Sequence, residues 1–154
     1  MVLNTSRYVL AYGCWALSVA LAIVDLLVWR NSAMIVLGMT PWDRYVEHAL
    51  NQFGFLFLAI AGLAVIVFTE HFYRTGVEKN RLFVRFFLVT LIGLLVFMLA
   101  HLVRLIGELV LGFFAPATLL LVLVELAVCV LVFWFYRQAQ QKARTDANSF
   151  TAIQ

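Results

Sequence analysis

The chain has 154 residues, of which 65% are hydrophobic and 12% charged, and its formal net charge is +3. Soluble domains are only about half apolar, with about a quarter of their residues charged. This composition excludes an ordinary soluble domain. The basic residues are spread over the ends of apolar segments and form no continuous patch, so we expect no nucleic-acid partner.

Four apolar segments follow one another, and each approaches the roughly 20 residues that a helix needs to cross a hydrocarbon core of about 30 Å. We predict helices over residues 6–29, 41–74, 82–111 and 116–144, within a single domain covering 1–154, and a flexible tail over 145–154. The predicted fold is an all-α integral membrane protein, an up-down-up-down four-helix transmembrane bundle.

The first helix carries one charge between Tyr8 and Trp29, which is Asp25. A loop over residues 30–40 follows, and its apolar patch is expected at the membrane surface. Thr40 and Pro41 are typical of a helix start, because threonine caps free N–H groups and proline lacks one. We therefore predict that the second helix begins at residue 41 and ends before Gly76.

The third and fourth helices are joined by a short turn that we expect to pivot near Phe114 or Ala115. Arg104 lies about ten residues before this turn and Glu125 about ten after it, so both lie roughly 15–17 Å from it. A lone charge at that depth is costly, whereas an opposed pair is tolerable. We predict a helical hairpin in which Arg104 is neutralised by Glu125 or Glu108.

The ionisable residues of the apolar segments concentrate in one half of the predicted bundle. His101, Arg104 and Glu108 share one helix face, and Glu125 and Asp25 lie at the same end. We favour a structural polar network that fixes helix register. The alternatives are contact with a neighbouring protein or a lipid head group, and binding of a quinone head group or proton relay.

A pair of histidines on facing bundle helices would also suit a b-type haem. His48, His101 and Arg104 are the candidate contacts for haem or quinone, although the two histidines differ in expected depth. No spacing indicates a metal site and no catalytic motif occurs. We therefore predict a protein that is not an enzyme, with no metal and no cofactor, and keep haem b and quinone as alternatives.

Orientation follows from the placement of lysine and arginine, which favour the cytoplasmic side. With four spans, the N-terminus, the middle loop and the C-terminus share one side, and both termini are predicted to be cytoplasmic. We expect a multi-pass protein of the bacterial inner (plasma) membrane. Eight of the eleven basic residues lie on the cytoplasmic side: Arg7, Arg74, Lys79, Arg81, Arg85, Arg137, Lys142 and Arg144.

Part of this basic set is expected to contact phospholipid head groups or partner subunits, since anionic lipids attract basic residues near the membrane surface. These candidate contacts are Arg74, Lys79, Arg81, Arg85 and Arg137.

Glycines within the apolar segments are expected to allow close helix packing, because small residues let backbones approach. The candidate packing positions are Gly13, Gly54, Gly62, Gly93 and Gly107.

The short loops leave no room for a soluble catalytic domain. We expect a small non-catalytic accessory or structural subunit of a larger membrane complex, plausibly a respiratory or photosynthetic electron-transfer assembly, with other membrane subunits and phospholipids as partners. One alternative is a quinone- or haem-binding electron-transfer protein. A second is a small oligomeric transporter or channel, which would also require polar residues along the cytoplasmic half.

Overall fold

Four long helices make up the computed structural model, which describes residues 2–38, 43–79, 81–112 and 116–151. They are α1 (Val2–Gly38), α2 (Arg44–Glu78), α3 (Leu82–Val110) and α4 (Pro116–Thr151). Their lengths are about 44 to 56 Å, so each exceeds a hydrocarbon core of about 30 Å. All four are apolar enough to cross a membrane. The prediction of an all-helical protein with four helices able to span a membrane is confirmed.

Three of the helices run further than predicted. α1 continues to Gly38 through the segment expected to be a loop, α2 passes Gly76, and α4 continues to Thr151 through most of the expected tail. The predicted loop over residues 30–40 and the predicted tail over 145–154 lie where polar residues follow an apolar segment. However, residues 30–37 and 144–151 contain no glycine or proline that would interrupt a helix. Thr40 and Pro41 lie outside the described residues; α2 starts after Asp43, whose carbonyl accepts the N–H groups of Val46 and Glu47.

The helices form an open bundle. α1 packs on α2 and on α3, α4 packs along α3, and a smaller contact joins α2 to α3. Within the described residues, the backbone of α4 approaches that of α3 alone. We call the end that holds the α2–α3 connection the basic end, and the end that holds the α3–α4 turn the turn end.

A buried cluster at the basic end ties the first three helices together. It consists of Ala11 from α1, Tyr73 and Val77 from α2, and Leu82 from α3. Tyr73 is 1% exposed, and its hydroxyl lies 2.7 Å from that of Ser18. A buried phenol needs such a partner, so this bond sets how α1 lies on α2.

Two indoles make further bonds between helices. The Nε1–H of Trp15 donates to the carbonyl of Ile66 on α2, and that of Trp29 donates to the carbonyl of Val96 on α3, both at 3.2 Å. A helical carbonyl has a second lone pair available for such a donor. These two bonds hold α1 against α2 and against α3.

Two glycines mark the closest helix approaches. A Cβ atom at Gly62 would lie 2.7 Å from Cδ1 of Leu26, and one at Gly93 would collide with Leu21. The packing prediction is correct for these two, and Gly107 is buried. It is wrong for Gly13 and Gly54, which face open space.

The outward surfaces are apolar. Phe53, Phe57 and Phe68 on α2 are 71%, 73% and 75% exposed. Such side chains are stable in hydrocarbon and unfavourable in water, as expected for helices that face lipid.

We expect Gly62→Leu to weaken the α1–α2 contact, because the added side chain overlaps Leu26. Overpacking of this kind lowers the free energy of unfolding by about 1–3 kcal/mol. Gly54→Leu, on the same helix but facing open space, should leave it unchanged or raise it. Unfolding in detergent titrated with dodecyl sulfate and followed by circular dichroism measures both.

Leu26→Ala combined with Gly62→Leu should recover much of the loss, since it removes the side chain that the new leucine meets. Equal losses for the variants at Gly62 and Gly54 would contradict the packing contact.

Candidate functional site

The alignment of α3 on α4 positions the polar residues of the turn end. His101 faces Glu125, and Glu108 faces Thr118. The first pair lies twelve residues either side of position 113 and the second lies five, so one register accounts for both. Gly112, with φ +74°, ends the helical path before the turn because glycine adopts positive φ without strain.

Glu125 meets His101 across the hairpin. Its Oε1 lies 2.9 Å from Nδ1 of the imidazole, and the two side chains are 8% and 9% exposed. The ring of Phe97 lies edge-on to the imidazole, 4.7 Å between centroids. Both side chains are therefore largely shielded from solvent.

A second pair lies nearer the turn. Nε of Arg104 donates to Oε1 of Glu108 at 2.8 Å, four residues along the same helix. The hydroxyl of Thr118 on α4 donates to the same oxygen at 3.2 Å. Glu108 thus neutralises a cation on α3 and also joins α3 to α4.

The predicted pairing of Arg104 with Glu125 is wrong, and the other predicted partner, Glu108, is the one observed. Contacts centre on position 113, whereas the expected pivot lay one to two residues later, outside the described part of the chain. That shift moves the residue facing Glu125 back by three positions, about 4.5 Å along the axis, to His101. Four of the five residues of the predicted cluster form these two pairs, and the predicted partnership of Arg104 with Glu125 is not among them.

Asp25 lies deeper and apart from these pairs. It is 7% exposed and packs over Gly93, about two helical turns from His101 along α3. Its Oδ1 has no hydrogen-bond partner within the described residues, and neither has Oε2 of Glu125. Such buried carboxylate oxygens keep unused acceptor capacity at the turn end.

A cavity of about 540 Å³ opens between the last turns of α1 and the part of α3 nearer the turn end. Ser32, missed in the sequence because its segment was expected to be a loop, lies here; it is 1% exposed and its hydroxyl has no partner in the described structure. One imidazole and two guanidinium groups are part of the cavity's lining. Its lining comprises Val24, Leu27, Val28, Arg30, Asn31, Ser32, Met34, His101 and Arg104.

The second histidine of the haem hypothesis lies elsewhere. His48 is exposed on α2, and its Nε2 lies 3.1 Å from the amide nitrogen of Gln52 on the same helix. His101, by contrast, is buried between α3 and α4, where it contacts Glu125 and Phe97. The two imidazoles are not brought together. Among the described residues, no group of three His, Cys, Asp or Glu side chains has an arrangement suited to a metal ion.

The basic residues predicted to contact lipid or a partner separate into two sets. Arg85 donates to the carbonyl of Phe72 and lies over its ring, and Arg137 lies over the ring of Phe133. Lys79 and Arg81 instead line a cavity at the basic end. Arg74 is exposed and lies outside that lining.

We expect the His101→Leu and Glu125→Leu variants to be strongly coupled in a double-mutant cycle. Removing one partner leaves the other buried and unpaired, so the coupling free energy should be about 1–3 kcal/mol. The control cycle, Arg104→Leu with Glu125→Leu, should give less than about 0.5 kcal/mol. Unfolding in mixed detergent micelles provides the free energies; the opposite ranking would contradict the observed register.

No protein-family model, curated protein or solved structure matches this chain. The contacts, cavities and charges described above are therefore the observations that bear on its function.

Proposed function

We propose that this chain is a small non-catalytic accessory subunit of a larger membrane complex, such as an electron-transfer assembly, in which α4 provides the main docking surface. The observation that carries the proposal is that α4 has a single neighbouring helix among the described residues. A membrane helix packed on one side only has most of its circumference available for a partner.

The face of α4 opposite α3 has the spacing of a helix-packing seam. Its members recur at intervals of four and three residues, which keeps them on one stripe of a helix. The four large ones are 54–65% exposed, and the central alanine permits close approach. This free face consists of Leu120, Val124, Ala127, Leu131 and Trp134.

The polar residues support a structural role for the rest of the hairpin. Glu125 contacts His101, and Glu108 contacts both Arg104 and Thr118. These partnerships hold α3 on α4 and present the free face in one orientation. A transporter or channel has less support, because residues 86–100 of α3 contain no charged side chain toward the basic end.

We further propose up-down-up-down topology with both termini cytoplasmic, in a bacterial inner membrane. Contacts run in opposite order along α1 and α2, where Ser18 meets Tyr73 and Arg30 meets Phe55. They also run in opposite order along α3 and α4. The excess of lysine and arginine at the basic end supports a cytoplasmic location for it.

Leu120→Trp should weaken association with the complex, because a bulky ring on a packed seam forces the helices apart. A helix interface that loses close packing in this way loses about 1–3 kcal/mol of association free energy, which lowers the affinity roughly 5- to 150-fold. Leu17→Trp on α1 is the matched control, since Leu17 and Leu120 are 64% and 65% exposed. Tagged variants are purified from native membranes in mild detergent, and the amount of each co-purifying subunit is measured relative to this chain.

The wild type should retain a defined set of membrane subunits at constant ratio, the α4 variant should lose them, and the α1 variant should keep them. Recovery of the wild-type chain without any subunit at constant ratio would contradict the proposal, as would equal losses in both variants.

A second candidate is a quinone-binding protein, and the cavity between α1 and α3 favours it. A quinone head group has two carbonyl oxygens that accept hydrogen bonds. The Ser32 hydroxyl, buried and without a described partner, and the Arg104 guanidinium both line that cavity. Donors beside an apolar wall are the usual composition of a small-molecule site.

Ser32→Ala should weaken binding of a short-chain ubiquinone analogue about three- to tenfold, the value of one neutral hydrogen bond. Thr145→Ala is the control, because that hydroxyl bonds only within α4 in the described structure. Titration followed by intrinsic tryptophan fluorescence gives the dissociation constants. Undetectable binding to the wild type, or equal weakening in both variants, would exclude this candidate.

A further inference from the structure

A second cavity lies at the basic end, where residues from all four helices or their caps meet. Its volume is about 1350 Å³. Ser6 and Leu10 come from α1, Gly76 and Val77 from α2, and Gln138 and neighbouring residues from α4. The cavity exists because α4 extends beyond Tyr136 as a helix and so reaches past the start of α3.

Four basic side chains line this cavity. Arg7 lies on α1, Lys79 caps α2, Arg81 precedes α3 and Lys142 lies on the extension of α4. Among the described residues, no acidic side chain belongs to the lining. Four cations around one space, drawn from four different parts of the chain, produce a strongly positive potential that favours a multiply charged anion.

The cavity also has large apolar side chains in its lining. They lie nearer the middle of α1, α3 and α4 than the basic residues do, and comprise Leu10, Leu82, Phe83, Val84 and Phe135. A soluble anion needs no such apolar lining, whereas a lipid places its phosphate groups among cations and its glycerol and acyl chains against apolar side chains. The cavity also exceeds the roughly 300–1,000 Å³ of ordinary small-ligand pockets.

We propose that this cavity binds an anionic phospholipid that carries two phosphate groups, of the diphosphatidylglycerol (cardiolipin) class. Two phosphodiesters match four cations better than the single phosphodiester of phosphatidylglycerol. Guanidinium and ammonium groups both form charge-assisted bonds with phosphate oxygens. The site requires that the helices span a membrane, and it is independent of the accessory role, of the free face of α4 and of which end is cytoplasmic.

The structure also separates these cations from their neighbours. Arg85 and Arg137, close by in sequence, are held over the rings of Phe72 and Phe133. Neither belongs to the lining, and Arg74 is outside it as well. The chain therefore offers basic residues at the same end that serve as a control for nonspecific charge attraction.

The test is lipid binding to the full chain in nanodiscs or in detergent, measured by native mass spectrometry with tetraoleoyl cardiolipin and dioleoyl phosphatidylglycerol at equal phosphate. The wild type should bind cardiolipin at least about tenfold more tightly per phosphate, since two phosphodiesters on one molecule are linked. Arg81→Gln with Lys142→Gln should lose about tenfold or more of this affinity, as two charge-assisted bonds are removed.

Arg74→Gln with Arg137→Gln removes the same charge from the same end and should retain cardiolipin affinity within about twofold, because neither residue lines the cavity and only screened surface charge is lost. Arg81→Lys with Lys142→Arg keeps the charge and should stay within about threefold, since either cation binds phosphate. Circular dichroism and elution volume verify that each variant folds.

Equal affinity per phosphate for the two lipids would overturn the proposal. Equal losses in the cavity variant and in the Arg74/Arg137 control would do the same, because they would indicate general surface attraction. Inorganic pyrophosphate that displaces cardiolipin at equal concentration would assign the cavity to a soluble diphosphate instead.

Discussion

The contact between Glu125 and His101 sets the alignment on which the rest of this molecule depends. A carboxylate among apolar side chains requires a polar partner, and a slip of one residue along α4 would turn Glu125 by about 100° away from the imidazole. The bond between Thr118 and Glu108 satisfies the same alignment. Because the backbone of α4 approaches only α3 in the described structure, this register also decides where both ends of α4 lie.

The remaining helices are held by few but specific contacts. Lipid tails are as apolar as leucine, so helix association in a membrane depends on close packing and interhelical hydrogen bonds. Gly62 and Gly93 provide the close approaches, and Tyr73 with two tryptophans provides the bonds. Large apolar side chains are left facing outward along every helix, where lipid or another subunit can cover them.

The two ends of the bundle are used differently. At the turn end, Glu108 pairs with Arg104 and Glu125 with His101, and these pairs stabilise the hairpin that presents the free face of α4. At the basic end, cations from different helices surround a cavity whose described lining has no acid. The turn end thus fixes the packing of α3 on α4, and the basic end is where an external anion is the proposed partner.

Hydropathy and charge are local properties, so the sequence alone determined the four long apolar helices, the residues of the two pairs at the turn end and the excess of positive charge at one end. The ends of the helices were harder to predict from the sequence. Hydropathy marks the boundary of the membrane, whereas a helix ends where its backbone hydrogen bonds end. For this reason α1 runs further than predicted, to Gly38. Partner choice was decided only by tertiary structure. An error of one or two residues in the pivot exchanged Arg104 for His101 opposite Glu125. The burial of Ser32 and the convergence of Arg7, Arg81 and Lys142 likewise depend on how separate helices pack, which no single segment encodes.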